Sequence, residues 1–195
     1  MTTLGKIIKS NSHIDYVCQV DGPGEVEHPP TPEEYALGTW VGVPVGTGEE
    51  ETAVGLVYDT QLYNPDYGTF GPRLSSQSQL EVFSPDYLNE TAVLLGIILL
   101  GRLGEDTGTG YCPVAPQVGA TVRCLTPTEV RAFHDRAGSL DLSYYGLLLA
   151  TGNPVVSQLM LGVLDSLADL MPEQARVLEV LRTDLAWKSR VAVRS

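Results

Sequence analysis

The chain has 195 residues, of which 43% are hydrophobic, with a mean hydropathy of +0.03 and a net charge of −12 at pH 7. This composition excludes a disordered chain, and the length suffices for one barrel-sized core plus a helical addition. Residues 1–126 hold 16 acidic and 5 basic residues, a balance of −11, whereas residues 127–195 hold 8 and 7, a balance of −1. Because nonspecific affinity for DNA comes mostly from Lys and Arg, the acidic part disfavours direct nucleic-acid binding.

Cysteine usage and hydropathy predict a cytoplasmic protein. The three cysteines, Cys18, Cys112 and Cys124, are odd in number and include no Cys-x-x-Cys pair, which favours reduced thiols that pack as small hydrophobic groups. Two lysines interrupt the short apolar segment near the N-terminus, so we expect no signal peptide. The longest apolar run, Ala92–Leu103, is well short of the ~20 residues that cross a bilayer. We interpret it as a buried strand and expect no membrane contact.

The first two thirds of the chain have a pattern typical of short β-strands. Gly5–Tyr16 predicts a strand, a polar turn and a second strand, and His13–Val20 alternates polar and apolar residues with period two. Thr39–Val45 and Thr52–Tyr63, separated by a turn rich in glycine and glutamate, predict a hairpin. Further strands are predicted at Leu80–Phe83, Thr91–Leu103 and Ala120–Leu125. About six short strands favour a closed or nearly closed barrel, because closure removes unpaired edges.

Two long segments between the predicted strands are candidates for binding. Asp21–Ala36 is rich in proline and acidic residues and is predicted to be an exposed loop, because proline cannot donate to a strand ladder. Asn64–Ser78 sets aromatic residues among prolines and glycines, and such long loops are uncommon unless they bind something or fold onto themselves. The candidate partner-binding residues are Tyr63, Tyr67, Phe70 and Arg73. The rings of Tyr63, Tyr67 and Phe70 either enter pockets on a partner or cover the barrel end, and acidic loops would select a basic partner surface.

The pattern changes at Thr126, after which the chain is predicted to be helical. Thr126 at the N-cap, Pro127 at the first helical position and Glu129 three residues after the cap form a capping box. This signal predicts a helix that runs to about Arg136.

Three further helices are predicted. The second spans Leu142–Ala150, the third begins at Asn153-Pro154 and carries an apolar stripe to Met171, and the last spans about Glu173–Lys188. A broad apolar stripe usually covers its own domain, so we expect the third helix to be buried within the monomer. We therefore predict an α+β chain. An acidic β-barrel spans residues 1–125, and a helical subdomain of three or four helices, residues 126–195, packs on or beside it.

Several of the predicted strands also resemble a known family. The relevant segments are Gly5–Ile8, Ser12–Tyr16, Gly38–Val43 and Val54–Tyr58. They resemble the HAS-barrel, the N-terminal barrel shared by HerA-type DNA-translocating ATPases and ATP-synthase subunits. The resemblance implies a noncatalytic collar that helps ring subunits assemble and, in HerA, docks a partner nuclease. This chain has no Gly-x4-Gly-Lys-Ser/Thr phosphate loop, and a helical segment replaces the ATPase core, so no motor activity is implied.

One motif raises a catalytic alternative. Asp106-Thr107-Gly108 is the triplet of aspartic proteases, in which two carboxylates share a proton to activate water. It lies in a glycine-rich stretch typical of a tight turn, and a second copy in a homodimer would have to supply the other aspartate. The histidines His13, His28 and His134 are far apart, so they predict no metal site.

The sequence therefore favours a noncatalytic interaction or assembly module without a cofactor. We expect a protein partner with a basic surface, such as a HerA-like ATPase or a nuclease, and leave homo-oligomerisation open. The alternative is an acid hydrolase that uses Asp106.

Overall fold

The structure of the protein, a computed structural model, describes residues 1–46, 51–64, 92–104, 110, 112–149 and 154–192, with side chains described as far as Lys188 in the last helix. The first six strands are β1 (Thr3–Ser10), β2 (Asp15–Val20), β3 (Trp40–Pro44), β4 (Thr52–Tyr63), β5 (Ala92–Leu103) and β6 (Thr121–Cys124). They are followed by α1 (Pro127–His134), β7 (Asp135–Arg136), β8 (Ser139–Leu140), α2 (Tyr145–Leu149), α3 (Pro154–Leu170) and α4 (Ala175–Ala192).

The first six strands close into an antiparallel barrel in the order β1-β2-β5-β4-β3-β6. The first hairpin pairs Gly5 with Val20, and the second pairs Trp40 with Leu56. The barrel closes where β6 pairs with both β1 and β3. The predicted α+β architecture, a barrel of about six strands followed by helices, is thus confirmed. The predicted strand Leu80–Phe83 lies outside the described residues.

The interior of the barrel is filled by side chains that alternate along the strands. On β5, Leu95, Ile97 and Leu99 belong to the interior cluster, whereas Ile98 and Leu100 belong to a second cluster outside the barrel. The buried members of the interior cluster are Leu4, Ile7, Tyr16, Cys18, Val20, Val41, Val43, Val45, Ala53, Val57, Leu95, Ile97, Leu99, Cys112 and Val122. The barrel is therefore a packed core along its length, not a pore.

The helices cover one outer face of the barrel. Trp40, Leu56 and Leu100, from the neighbouring strands β3, β4 and β5, share an apolar cluster with the helices. The buried helical and connecting residues of that cluster are Val130, Phe133, Tyr144, Leu148, Val156, Leu159, Met160, Val163, Leu164, Leu167, Leu178 and Leu185. Most of the predicted stripe on α3 is buried within the monomer, as expected, although Val155 is 47% exposed. Because β5 is covered on both faces, its sequence is a nearly continuous apolar run.

The predicted start of α1 is confirmed at the atomic level. The Thr126 hydroxyl accepts a hydrogen bond from the Glu129 amide at 3.3 Å, and the Glu129 carboxylate accepts one from the Thr126 amide at 2.8 Å. Arg123 on β6 donates to both oxygens of the same carboxylate, at 2.7 and 3.1 Å. These hydrogen bonds from Arg123 lower the pKa of Glu129 to about 2. The cap thus also ties the helix to the barrel.

We predict that Thr126→Ala lowers the free energy of unfolding by about 1 kcal/mol, the usual effect of losing a hydroxyl N-cap. Denaturant unfolding of the full chain measures the change. Thr126→Ser keeps the hydroxyl and is the matched control, which we expect to lie within about 0.5 kcal/mol of the parent protein. Equal losses in the two variants would show that the hydroxyl does not stabilise the helix.

The helix bounds differ from the prediction at four ends, one of which is the end of α4 at Ala192 instead of about Lys188. α1 stops at His134, because Asp135 and Arg136 pair with Leu140 and Ser139 in a two-residue hairpin. α2 begins at Tyr145, three residues later than predicted, and α4 begins at Ala175, after a 3-10 turn over Pro172–Gln174.

Within the described ranges, no single helix is long and apolar enough to cross a membrane. Val155–Leu170 and Pro172–Lys188 meet the length and composition criteria only together, with a bend of 115° between them.

Candidate functional site

An open cleft of about 800 Å³ lies at one end of the barrel. One wall is formed by the end of β2 and the following proline-rich loop, and the other by the end of β4 and the start of β5. The lining residues are Gln19 to Glu25, Pro29, Pro30, Tyr35, Leu62 to Asn64, Ala92 and Val93. We call this site the mouth cleft. It brings together the predicted loop Asp21–Ala36 and the predicted candidate Tyr63, which are distant in sequence.

The strand register determines which side chains face the mouth cleft from inside the barrel. Val93 packs against the interior cluster, and it is directly opposite Leu62 in the β4–β5 ladder. Residues that are directly opposite in an antiparallel pair project on the same face, so Leu62 lies on the inner side and Tyr63 on the outer side. Leu62 is 82% exposed and Tyr63 is 56% exposed. The end of β4 therefore presents an apolar edge beyond the packed interior.

The mouth cleft lies in the most acidic part of the chain. Positions 10–64 contain ten Asp or Glu residues and no Lys or Arg. Asp21 and Glu25 line the cleft, and the Glu25 carboxylate accepts a hydrogen bond from the Gly22 amide at 2.6 Å. Farther along the same loop, Glu34 accepts hydrogen bonds from the Thr31 amide and the Thr2 hydroxyl. These bonds fix the loop, and the cleft offers apolar contact surface beside negative charge.

The structure tests the predicted site residues only in part. Tyr63 lines the mouth cleft, as described above. The other partner-binding candidates, Tyr67, Phe70 and Arg73, lie outside the described residues, and so does Asp106. Their roles, including the acid-hydrolase alternative, stay predictions.

The histidines lie in separate environments. The His13 ring is within hydrogen-bonding distance of the Cys112 carbonyl oxygen, 2.8 Å from Nε2. Asp15, two residues farther along the chain, accepts a hydrogen bond from the Tyr58 hydroxyl at 2.8 Å. Burial and this bond raise the pKa of Tyr58 to about 12. Within the described part of the chain, no group of three or more His, Cys, Asp or Glu side chains could hold a metal ion.

The cysteines are all free thiols, and two of them are buried. Burial raises the pKa of the Cys18 thiol to about 12, and it also raises the pKa values of Cys112 and Cys124. Because the thiolate is the reactive form, these thiols are poor nucleophiles. Packing of Cys18 and Cys112 as small hydrophobic groups is confirmed, whereas Cys124 is partly exposed.

The structure reveals two features that no local pattern in the sequence marks. The first is Leu62, for which the sequence offers only a weak signal because its role depends on pairing with Val93. The second is a buried aromatic cluster between the barrel and the helices, formed by Trp40, Phe133, His134 and Tyr144, with ring centroids 4.9 to 6.3 Å apart. Its members come from three separate segments, so no local motif marks it.

Comparison with known proteins identifies a family without a known activity. The family model described as "Domain of unknown function (DUF8166)" matches residues 1–194. No curated protein gives a significant match to the chain. Because the family match covers all but the last residue, the chain belongs to the DUF8166 family.

Proposed function

We propose that this protein is a noncatalytic interaction module that docks a partner protein with a basic surface at the mouth cleft. The observation that carries the proposal is the combination of open apolar surface at Leu62 and Tyr63 with a surrounding sequence that lacks Lys and Arg. Apolar and aromatic anchors supply most of the binding energy in protein interfaces. Acidic surroundings favour a basic partner and speed the encounter.

The kind of partner follows from the HAS-barrel resemblance. In that family the barrel holds ring subunits together or docks a nuclease, so the proposed partner is a HerA-like DNA-translocating ATPase or a nuclease of DNA processing. The free cysteines support the further proposal that the protein works in the cytoplasm, where thiols stay reduced. Direct nucleic-acid binding is not part of this proposal, because Asp21 and Glu25 line the cleft and no Lys or Arg is among its described lining residues.

Co-purification with a variant that carries an added positive charge tests the proposal. Leu62→Lys removes the apolar edge and places a positive charge among acidic residues, so we expect recovery of the basic partner to fall at least tenfold. Val118→Lys is the matched control. Val118 is 76% exposed, close to the 82% of Leu62, and it lies outside the mouth cleft. The control should recover the partner as the parent protein does.

Two outcomes would contradict docking at the mouth cleft. One is a monomeric mass in solution with no partner recovered from the native cells. The other is an equal loss of partner in the two lysine variants, because a general effect of added positive charge would then explain the result.

A further inference from the structure

β4 has an unpaired edge where it borders the mouth cleft. β3 pairs with β4 only from Thr52 to Leu56, and two more backbone hydrogen bonds extend the contact as far as Val57. From Asp59 to Tyr63, β5 is the only strand of the described structure that pairs with β4. Among the described residues, the opposite edge of this segment therefore has no strand partner. An open edge presents unused backbone donors and acceptors, which are a template for another strand.

The hydrogen bonds show which backbone groups face this open edge. The Thr60 amide donates to the side chain of Asp59 at 2.9 Å, so it does not donate to β5. Amides in an antiparallel strand alternate between the two sides. The Leu62 amide and carbonyl accordingly also point away from β5. Thus Asp59 already occupies one amide of the edge, and within the described part of the chain the Leu62 amide and carbonyl remain available as a donor and an acceptor.

The opposite wall of the cleft does not complete the ladder. It contains Pro23, Pro29 and Pro30, which have no amide hydrogen and cannot donate to a neighbouring strand. Leu62–Asn64 line the same cleft, so the open edge is accessible from it. The cleft therefore borders the end of β4, where β5 is the one described strand that pairs with it.

We propose that the mouth cleft binds an extended, lysine- or arginine-bearing segment of the partner protein as an added strand on β4. Hydrogen bonds to the Leu62 amide and carbonyl fix the segment, and the Leu62 side chain packs against an apolar residue of it. Basic side chains are selected because Asp21, Glu25 and Asp59 lie on or beside the cleft. This inference rests on the proposed docking function and specifies its binding mode, which is strand addition.

A synthetic peptide tests strand addition on the purified full-length chain. The probe is a labelled hexapeptide of alternating lysine and valine with blocked ends, and the controls are the same peptide with all backbone amides N-methylated and a glutamate-valine peptide. By fluorescence anisotropy, we expect both controls to bind at least tenfold more weakly than the probe. By NMR, we expect the probe to slow hydrogen exchange of the Leu62 amide at least tenfold.

Substitutions at position 62 separate the backbone contribution from the side-chain contribution. Leu62→Pro and Leu62→Ala both remove the leucine side chain, but only proline also removes the outward amide. We expect the proline variant to bind the probe about fivefold more weakly than the alanine variant, the effect of one hydrogen bond. Thermal unfolding checks that both variants stay folded. If the proline variant unfolds, hydrogen exchange of the Leu62 amide in the parent protein tests the backbone contribution instead.

Three results would overturn strand addition: no binding of the lysine-valine peptide, equal binding of its N-methylated form, or binding without slower exchange at Leu62. These results are distinguishable from failure of the docking function itself. A partner that is lost in Leu62→Lys but retained in Val118→Lys would still establish docking at the cleft, through side chains alone.

Discussion

Gly5→Ala is expected to lower the free energy of unfolding by about 3 kcal/mol, at the upper end of the usual range for overpacking a core. Gly5 lies on β1, where it pairs with Val20 on one side and with Val122 on the other. A Cβ atom at Gly5 would lie 1.9 Å from the Gln19 carbonyl oxygen and 2.9 Å from the Val20 Cα. Both neighbours are backbone atoms, so the clash cannot be relieved by a side-chain rotation. The strands β1 and β2 must separate.

The control for this prediction is a glycine-to-alanine change that is expected to raise the free energy of unfolding. Gly162 lies within α3 and is exposed, and a methyl group there would meet no atom within 4 Å beyond the backbone of its own helix. Alanine favours the helix interior over glycine, so Gly162→Ala should raise the free energy of unfolding by up to about 1 kcal/mol. Denaturant unfolding of both variants measures the two changes. A Gly5→Ala protein as stable as its parent would contradict the described contact between β1 and β2.

Acidification from pH 7.5 to pH 5 is expected to remove about 2 kcal/mol of stability through His134 alone. The His134 ring is fully buried. Nδ1 lies 2.7 Å from the Val130 carbonyl oxygen, which can only accept, so Nδ1 carries the proton. Nε2 then accepts a hydrogen bond from the Tyr144 hydroxyl at 2.8 Å. Both nitrogens are satisfied in the neutral ring, and protonation of Nε2 would set two donors against each other.

The direction of the pH effect follows from the pKa shift. Burial lowers the pKa of His134 from 6.5 to about 4, while the Val130 carbonyl and Asp141 act in the opposite direction. The unfolded chain binds the proton first, so this stability is fully present above pH 6.5 and is lost as the pH falls toward 4. The difference between the two pKa values corresponds to about 3 kcal/mol, most of which is lost by pH 5.

His134→Gln provides the comparison, because glutamine keeps one donor and one acceptor but does not titrate. We expect this variant to be less stable at pH 7.5 and to lose much less stability than the parent protein between pH 7.5 and pH 5. His13 and His28 are present in both proteins, so the difference reports His134. Measurements stop at pH 5 because Glu129, whose pKa is lowered to about 2, adds a separate loss of stability below pH 4.5. Parallel pH profiles would show that His134 is not a buried neutral group.

Local signals were sufficient to predict most elements of this fold. The capping box at Thr126 marks the start of α1 because its hydrogen bonds involve only neighbours in sequence. The alternation of polar and apolar residues along β2 and the turn residues between β3 and β4 are likewise patterns among neighbours in sequence. The predicted end of α1 is wrong because Asp135–Leu140 forms a hairpin. Its turn residues, Ala137 and Gly138, have positive φ values. The spacing of apolar residues that predicts a helix does not exclude such a turn.

The orientation of the residues at the mouth cleft could not be predicted in the same way. Strict alternation from the inward-facing Val57 places Tyr63 on the inner side and Leu62 on the outer side. The ladder shifts between Val57 and Asp59, and this bulge reverses the two faces. Tyr63 was predicted as an aromatic anchor beside a long loop, and no pattern in the sequence marked Leu62. Since the bulge depends on pairing with Ile97 and Gly96 of β5, which are 37 to 40 positions farther along the chain, it leaves no local mark.

The sequence alone also could not predict which side chains of β5 belong to each of the two cores. Its run of apolar residues predicts burial, but the assignment of Ile97 to the barrel interior and Ile98 to the helical side depends on where the helices pack. The aromatic cluster around His134 likewise forms only when β3, α1 and the segment before α2 come together. Long-range packing of this kind is set by the whole fold.

Site-specific photocross-linking measures most directly whether the mouth cleft is the docking surface. A photoreactive benzoylphenylalanine replaces Leu62 in one protein and Val118 in another, and each is irradiated in the cells that naturally make the chain. The account predicts a defined heteromeric adduct with a basic protein from position 62 and none from position 118. The same adducts from both positions, or adducts from position 118 alone, would contradict it.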